Sequence, residues 1–233
     1  MKPGDPLAIE TLFNDIAPDY DRLNDLLSLG LHRFWKRQLL SWLAPVSGEK
    51  WLDVCCGTGD LALILANKVC PDGTVVGVDS AIGTLALANK RMKERFSKSL
   101  TFIHGDALDT GLPSNHFDGA VMAYGLRNLS DPQQGLKELH RVLKPGARAG
   151  ILDFNQLEDD SIGAKFQKLY LRKVVVPIAG KAGLRDHYAY LENSLKSFPK
   201  GTIQEQLAIK AGFKMARHKL LALGQMGALI LRA

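Results

Sequence analysis

The chain has 233 residues, 46% of them hydrophobic and 23% charged, with a formal net charge of +6 and a pI of about 9.2. That length suits one α/β domain with a modest elaboration, and the composition excludes a disordered chain. Three cysteines, Cys55, Cys56 and Cys70, exclude a disulfide framework and lack metal-ligand spacing, so no metal and a reducing cytoplasm are expected.

Residues 1–44 form a polar, aromatic-containing element that is mostly helical in pattern over 7–43. The first 18 residues have no continuous apolar run of the kind a signal peptide needs. From residue 50 onward strand-like apolar runs alternate with helical patterns, which predicts a parallel sheet. The strands are expected at 50–55, 74–78, 100–104, 119–123 and 148–154, with helices at 59–69, 81–96 and 132–143. Lys144-Pro145-Gly146 reads as a helix stop and turn. Residues 45–155 are thus a core and 156–200 a basic helical cap, and 201–233 supply two closing strands at 213–221 and 226–231 around Gly224. The longest charge-free stretch, 220–231, is well short of the roughly 20 residues that span a bilayer. A soluble protein, at most peripheral to a membrane, is expected.

Eight basic residues between Ser161 and Lys200 face only Asp186 and Glu192, so this segment accounts for the whole net charge. Lys165, Lys168, Arg172 and Lys173 are interleaved with Phe166, Leu169, Leu171 and the run 174–176. A single basic, apolar-interleaved segment fits an anionic membrane surface, or the solvated face of a capping helix, and no nucleic-acid partner is expected. The oligomeric state stays open.

Trp51-Leu52-Asp53-Val54-Cys55-Cys56-Gly57-Thr58-Gly59-Asp60-Leu61-Ala62 runs a strand through a glycine turn into a helix. Gly57, Gly59 and Ala62 fit the spacing that lets backbone approach a nucleotide-like ligand. Asp79, 20 residues after Gly59, ends the next strand where a carboxylate accepts ribose hydroxyls. A dinucleotide would place its pyrophosphate at this helix start. Asp53 and Asp60 disfavour that anion, whereas Asp53 suits a ligand carrying an amine and a sulfonium. Asp106, in Gly105-Asp106-Ala107, is placed to meet an adenine amino group. Thr58, Ala107 and Ala123, in or beside these strand ends, complete the expected cofactor set. A nicotinamide-dependent oxidoreductase and a non-catalytic sensor of an adenosine ligand are the competing readings.

The order D-x-x-x-G-x-G, an acid ending strand two, then G-D-A resembles the class I S-adenosylmethionine-dependent methyltransferases over about 45–155. The resemblance implies a mostly parallel seven-stranded Rossmann-like sheet whose last strand is antiparallel, with S-adenosylmethionine as cofactor. Three further stretches resemble the ubiquinone/menaquinone C-methyltransferase family. They are Phe13-Asn14-Asp15-Ile16-Ala17-Pro18-Asp19-Tyr20-Asp21-Arg22-Leu23-Asn24 with Ser28 to Lys36, then Tyr124-Gly125-Leu126-Arg127-Asn128, then Tyr188 to Ser194 with Phe198-Pro199. With these the likeness covers nearly the whole chain. Cys55 to Ala62 is most similar to the family's members that methylate reduced 2-phytyl-1,4-naphthoquinone in the last step of phylloquinone biosynthesis. Methylation of a demethylmenaquinone, a ubiquinone precursor or another small molecule is the alternative.

A quinol carbon becomes nucleophilic when a ring hydroxyl loses its proton, so the site must stabilise or accept that proton. The resemblance implies catalytic roles for Arg127, Asn128 and Tyr20. Arg127 would steady a phenolate or order a water, and Tyr20 would close over the site and bond the ring oxygen. His32 reads as structural, and His187 and Tyr190 as lining the substrate mouth or packing the cap.

Overall fold

A computed structural model describes residues 30–95, 99–156 and 194–233, with the backbone alone at 93–95. Of the N-terminal element it also describes residues 5, 9–11, 13–14, 17, 24–25 and 28. Tyr20, His187, Tyr190 and the cap segment from 157 to 193 lie outside the described residues.

Helix α1, His32–Leu43, buries His32, Trp35, Lys36, Leu39, Leu40 and Leu43, the stripe of a 3.6-residue period. Strand β1 (Lys50–Val54) leads into α2 (Asp60–Val69), β2 (Thr74–Asp79), α3 (Ile82–Arg95) and β3 (Leu100–His104). Then come β4 (Phe117–Ala123), a 3-10 turn at Leu126–Asn128, α4 (Pro132–Val142) and β5 (Leu143–Phe154). Helix α5 (Gly201–Ala211), β6 (Met215–Leu221) and β7 (Met226–Arg232) close the chain.

The seven strands form one sheet in the order β3-β2-β1-β4-β5-β7-β6. Strand β7 is antiparallel to both its neighbours and the other six share one direction, as expected. Trp51 and Leu52 on β1 point to opposite faces, and each anchors its own core. Trp51 packs with Leu39, Leu65 and Phe102 under α1 and α2, while Leu52 packs with Phe117, Leu136, Leu139 and Phe213 under α4 and α5. Burial on both faces makes the central strands almost continuously apolar.

Two expectations are corrected. The stop at Lys144-Pro145-Gly146 is not a turn between elements but a bulge inside β5. Pairing passes from Phe117↔Leu143 to Gly119↔Arg148, and Gly146 takes φ +77 to absorb the extra residues. Residues 201–211, placed with the closing strands, are α5. Its pattern was illegible because it leaves Ile203 and Ile209 exposed and buries Gln204. Of the expected cap, residues 156 and 194–200 are described, and among them Phe198 is buried in the core.

Candidate active site

Strands β1 and β4 are neighbours, and the chain leaves them in opposite directions along the sheet, so a crevice opens at their carboxyl ends. Both strands end on a non-glycine residue in the left-handed region, Cys55 at φ +55 and Tyr124 at φ +63. Such strain persists only where the surroundings impose it. The Cys55 side chain fills the space that a Cβ on Gly125 would need.

After β1 the chain turns through Gly57 (φ +54) and Gly59 (φ +82) into α2. A Cβ on Gly59 would stand 2.5 Å from Cζ of Phe102, so this glycine is demanded by packing as well as by conformation. Gly57 N–H donates to Asp79 Oδ2 at 2.7 Å, and Ala81 N–H donates to Oδ1 at 2.9 Å. Burial pushes the Asp79 carboxyl up, and the N–H groups of Ala81, Gly57 and Ser80 counter it. Asp79 therefore ties the glycine turn to the end of β2 and keeps lone pairs for a ligand.

Asp53 is 1% exposed and its Oδ2 has no hydrogen-bond partner among the described residues. Burial pushes its carboxyl up to about 8, against the pull of Lys36 and a bond from the Ala62 backbone. Lys36, buried on α1, reaches Asp60 Oδ2 at 3.4 Å and lies 5.8 Å from the centre of the Tyr124 ring. Arg91 on α3 donates to the Thr58 carbonyl, Thr58 Oγ1 and Asp60. Two cations thus brace the loop from behind. Burial also pushes the Cys55 and Cys56 thiols well above their ordinary value, so neither is a ready thiolate.

A cavity of about 290 Å³ opens beside this turn, at the carboxyl ends of β1 to β4. Of the expected site residues, Gly57, Asp79, Asp106, Ala107, Ala123 and Asn128 line it. Asp106 accepts the Leu108 N–H at 2.9 Å, which shapes the loop after β3. Asp53, Thr58 and Gly59 sit behind the turn and support it. The N-terminal element adds Ile9, Glu10 and Phe13 to the lining. Next to Phe13, Asn14 Oδ1 accepts the Gly83 N–H at 2.7 Å at the start of α3.

Arg127 is placed differently from Asn128. Its Nη1 donates to Asp153 Oδ1 and to the Tyr124 carbonyl, both at 2.7 Å, and its backbone N–H donates to Asp153 Oδ2. The guanidinium stands 5.2 Å from the Phe154 ring centre, is 9% exposed and does not line the cavity. Asn128 Nδ2 bonds the same Tyr124 carbonyl at 3.0 Å. The pair with Asp153 therefore pins the 3-10 turn that puts Asn128 in the wall. His32 is buried against Asp25 at 2.9 Å, away from the cavity wall.

Sequence reasoning missed Lys36, Tyr124, Asp153, Asn14 and Phe13 as parts of the site. Lys36 was readable, since the period of α1 places it on the buried face. Tyr124, Asn14 and Phe13 stood in the quoted motifs without a role. Nothing in the sequence pairs Asp153 with Arg127.

An acid-lined cavity at the switch point of this sheet, beside a buried carboxylate oxygen with no partner among the described residues, fits a cationic nucleoside ligand and defines a class: S-adenosylmethionine-dependent α/β methyltransferases. The chain belongs to the ubiE/COQ5 methyltransferase family, whose model it matches over residues 3–230. It is 47% identical to 2-phytyl-1,4-naphthoquinone methyltransferase of Nostoc punctiforme, over 95% of this chain and 96% of that one. It is 45% identical to the chloroplastic 2-phytyl-1,4-beta-naphthoquinone methyltransferase of Arabidopsis thaliana, over 94% of this chain and 85% of that one. Among solved structures, a SAM-dependent methyltransferase from Aquifex aeolicus superposes with a TM-score of 0.62 at 19% identity, covering 84% of this chain and 88% of that one. At that identity the structural likeness bears on the fold alone. Among the described residues no helix is long and apolar enough to cross a membrane.

Proposed function

We propose that the chain methylates a ring carbon of 2-phytyl-1,4-naphthoquinol with S-adenosylmethionine, the last step of phylloquinone biosynthesis. The observation that carries this reading is the 47% and 45% identity, over 95% and 94% of this chain, to relatives bearing that name. When bound, S-adenosylmethionine supplies a methyl group on a cationic sulfur.

The chain's own groups then divide the work. Asp79 accepts the ribose hydroxyls, Asp106 and Ala107 hold the adenine, and Ala123 borders the cofactor at the end of β4. Gly57 and Gly59 let the backbone approach, Thr58 keeps the turn in shape through Arg91, and Asp53 sets a negative charge beneath the cationic end. Asn128 orients the ring oxygen of the quinol, and Tyr20 closes over it from the N-terminal element. Arg127, held by Asp153 in a low-dielectric setting, stabilises the phenolate electrostatically. Alignment of carbon and methyl in this enclosed space supplies much of the acceleration. With the cofactor bound, the ring carbon would take the methyl from its sulfonium, which leaves as the neutral thioether, and the proton displaced from that carbon would pass to water. The substrate's prenyl tail brings the protein to the periphery of an anionic membrane.

Methyl transfer from labelled S-adenosylmethionine is measured with reduced 2-phytyl-1,4-naphthoquinone, demethylmenaquinol and a demethyl ubiquinol precursor. Preference for the phytyl naphthoquinol is expected, and no product from any of the three overturns the proposal. Removing Arg127 leaves Asp153 buried without its partner, so Arg127→Lys and Arg127→Ala are compared with cofactor binding measured alongside. The expected result is a fall in kcat of about a hundredfold or more with cofactor affinity retained.

A further inference from the structure

We infer that the β6–β7 connection, with the first turn of α1, is the surface by which the protein docks on an anionic lipid bilayer. The inference rests on the reading above only in that a phytylated substrate resides in such a bilayer.

The connection holds its most apolar residue in the least protected place. Leu223 is 93% exposed and Leu220 63%, while Leu221 and Ala222 between them pack against the core and fix the tip. The backbone there is strained. Ala222, Leu223 and Gly224 have φ of +50, +53 and +88, a run of left-handed residues in which only the last is glycine. Turns of this shape favour Gly, Asn and Asp, because a residue with a Cβ meets its own backbone there. At 93% exposure Leu223 gains almost nothing from packing against the described residues to offset that cost. An apolar side chain held outward at such a cost is explained by a partner that covers it.

Topology puts this tip on the same edge as the cavity. Strand β6 is antiparallel to β7, which is antiparallel to β5, so β6 runs with the strands whose carboxyl ends border the cavity. The chain leaves β6 for its connection at that edge. The early part of α1 reaches the same level, because Lys36 contacts Asp60 at the start of α2, just past the glycine turn. Leu31 and Phe34, 48% and 59% exposed, lie at this end of α1, and Lys219 of β6 stands over the Trp42 ring of the same helix at 4.4 Å.

Charge selects the occupant. Strand β6, which leads to the tip, carries Arg217 and Lys219, both exposed, and no acid. Helix α1 adds the exposed Arg33 and Arg37, also with no acid of its own, and Asp25 counters Arg33. Apolar tips flanked by cations match an anionic headgroup layer over acyl chains. A second copy of this chain would bring the same positive charge to meet itself.

The full chain is mixed with vesicles of phosphatidylcholine alone and of phosphatidylcholine with phosphatidylglycerol, and bound protein is measured by sedimentation. Leu223→Asn is the main variant, because asparagine accepts the left-handed conformation and leaves the fold in place. Lys219→Gln tests the charge. The parent chain should prefer the anionic vesicles and lose binding as salt is raised. Leu223→Asn should weaken binding by about tenfold, and turnover of a short-chain, water-soluble naphthoquinol should be unchanged. Equal vesicle binding by the parent chain and Leu223→Asn, or no vesicle binding by either, overturns the inference. So does self-association in the ultracentrifuge that Leu223→Asn abolishes, since the tip would then serve a second copy. Vesicle binding that depends on Leu223, without methyl transfer to any naphthoquinol, upholds the surface and overturns the substrate assignment.

Discussion

Asp53 and Lys36 set the electrostatics behind the glycine turn. The ligand-free folded chain holds a proton on Asp53 up to about pH 8, whereas the unfolded chain releases it near 3.8. Across that window the folded state binds the extra proton, so this group makes stability fall as pH rises, and its contribution levels off above about 8. A cationic ligand works in the opposite direction, because it favours the carboxylate. Affinity for S-adenosylmethionine should therefore rise with pH towards about 8 and then flatten, with up to one proton released on binding. Calorimetry in two buffers of different ionisation enthalpy checks both. Asp53→Asn should bind more weakly and lose the proton release; a variant that kept it would assign the titration elsewhere. Lys36→Met removes the cation that opposes the effect of burial on Asp53. Its affinity at neutral pH should fall about tenfold for each pH unit by which the Asp53 midpoint rises, and Lys36→Arg should restore most of it.

At the scale of elements, two joints carry the site. One is Gly59 against Phe102, where α2 starts over β3. Gly59→Ala brings a left-handed backbone cost of about 1–2 kcal/mol and a Cβ 2.5 Å from the ring. Urea unfolding should show at least that loss, and adding Phe102→Leu should recover the part due to the clash but not the part due to φ. The other joint is Glu138 on α4. Its carboxylate accepts from Thr110 N–H and Oγ1 at 2.9 and 2.5 Å and from Arg141 Nε and Nη2 at 2.7 Å. Burial alone would raise this carboxyl, but Arg141 and Thr110 outweigh it and hold it below 4.5. The stability it contributes is present above that value and is lost as pH falls through its lowered one. Glu138→Gln should cost on the order of 2 kcal/mol in urea at neutral pH and less in acid. These joints explain which elements could be read in advance. Strands β1, β2 and β4 are legible because burial on both faces makes them apolar runs, edge strand β3 is legible from its alternation, and the glycine spacing is legible because Gly57 and Gly59 both need φ > 0. Helix α5 is not, because it buries Gln204 and exposes Ile203, the reverse of what periodicity detects. Nor is the bulge at Gly146, since Pro-Gly chemistry looks the same inside a strand as at its end.

At the scale of the whole molecule, the cavity is lined by the ends of the strands with the loops and helix starts after them, and by Ile9, Glu10 and Phe13 of the N-terminal element. Sequence motifs marked both as important, but the contact between them depends on a hydrogen bond that spans 69 residues, from Gly83 N–H to Asn14 Oδ1. No periodicity records such a contact, which is why Asp79 and Asp106 could be assigned from strand ends while Asn14 could not. The bond satisfies a backbone N–H at the start of α3 and anchors the segment that brings Phe13 and Glu10 to the lining shared with Asp79 and Asp106. Asn14→Ala should leave the sheet and the acids untouched and loosen only this closure. The expected signature is kinetic. Dissociation of S-adenosylhomocysteine, followed by stopped-flow fluorescence, should speed up about five- to tenfold, as loss of a capping bond worth about 1 kcal/mol requires. The association rate should change less, because ligand entry does not need the closed wall. Asn14→Asp, which keeps an acceptor at the same place, should dissociate close to the parental rate. Equal dissociation rates for Asn14→Ala and the parent chain would mean that the N-terminal element packs on α3 without holding the ligand in.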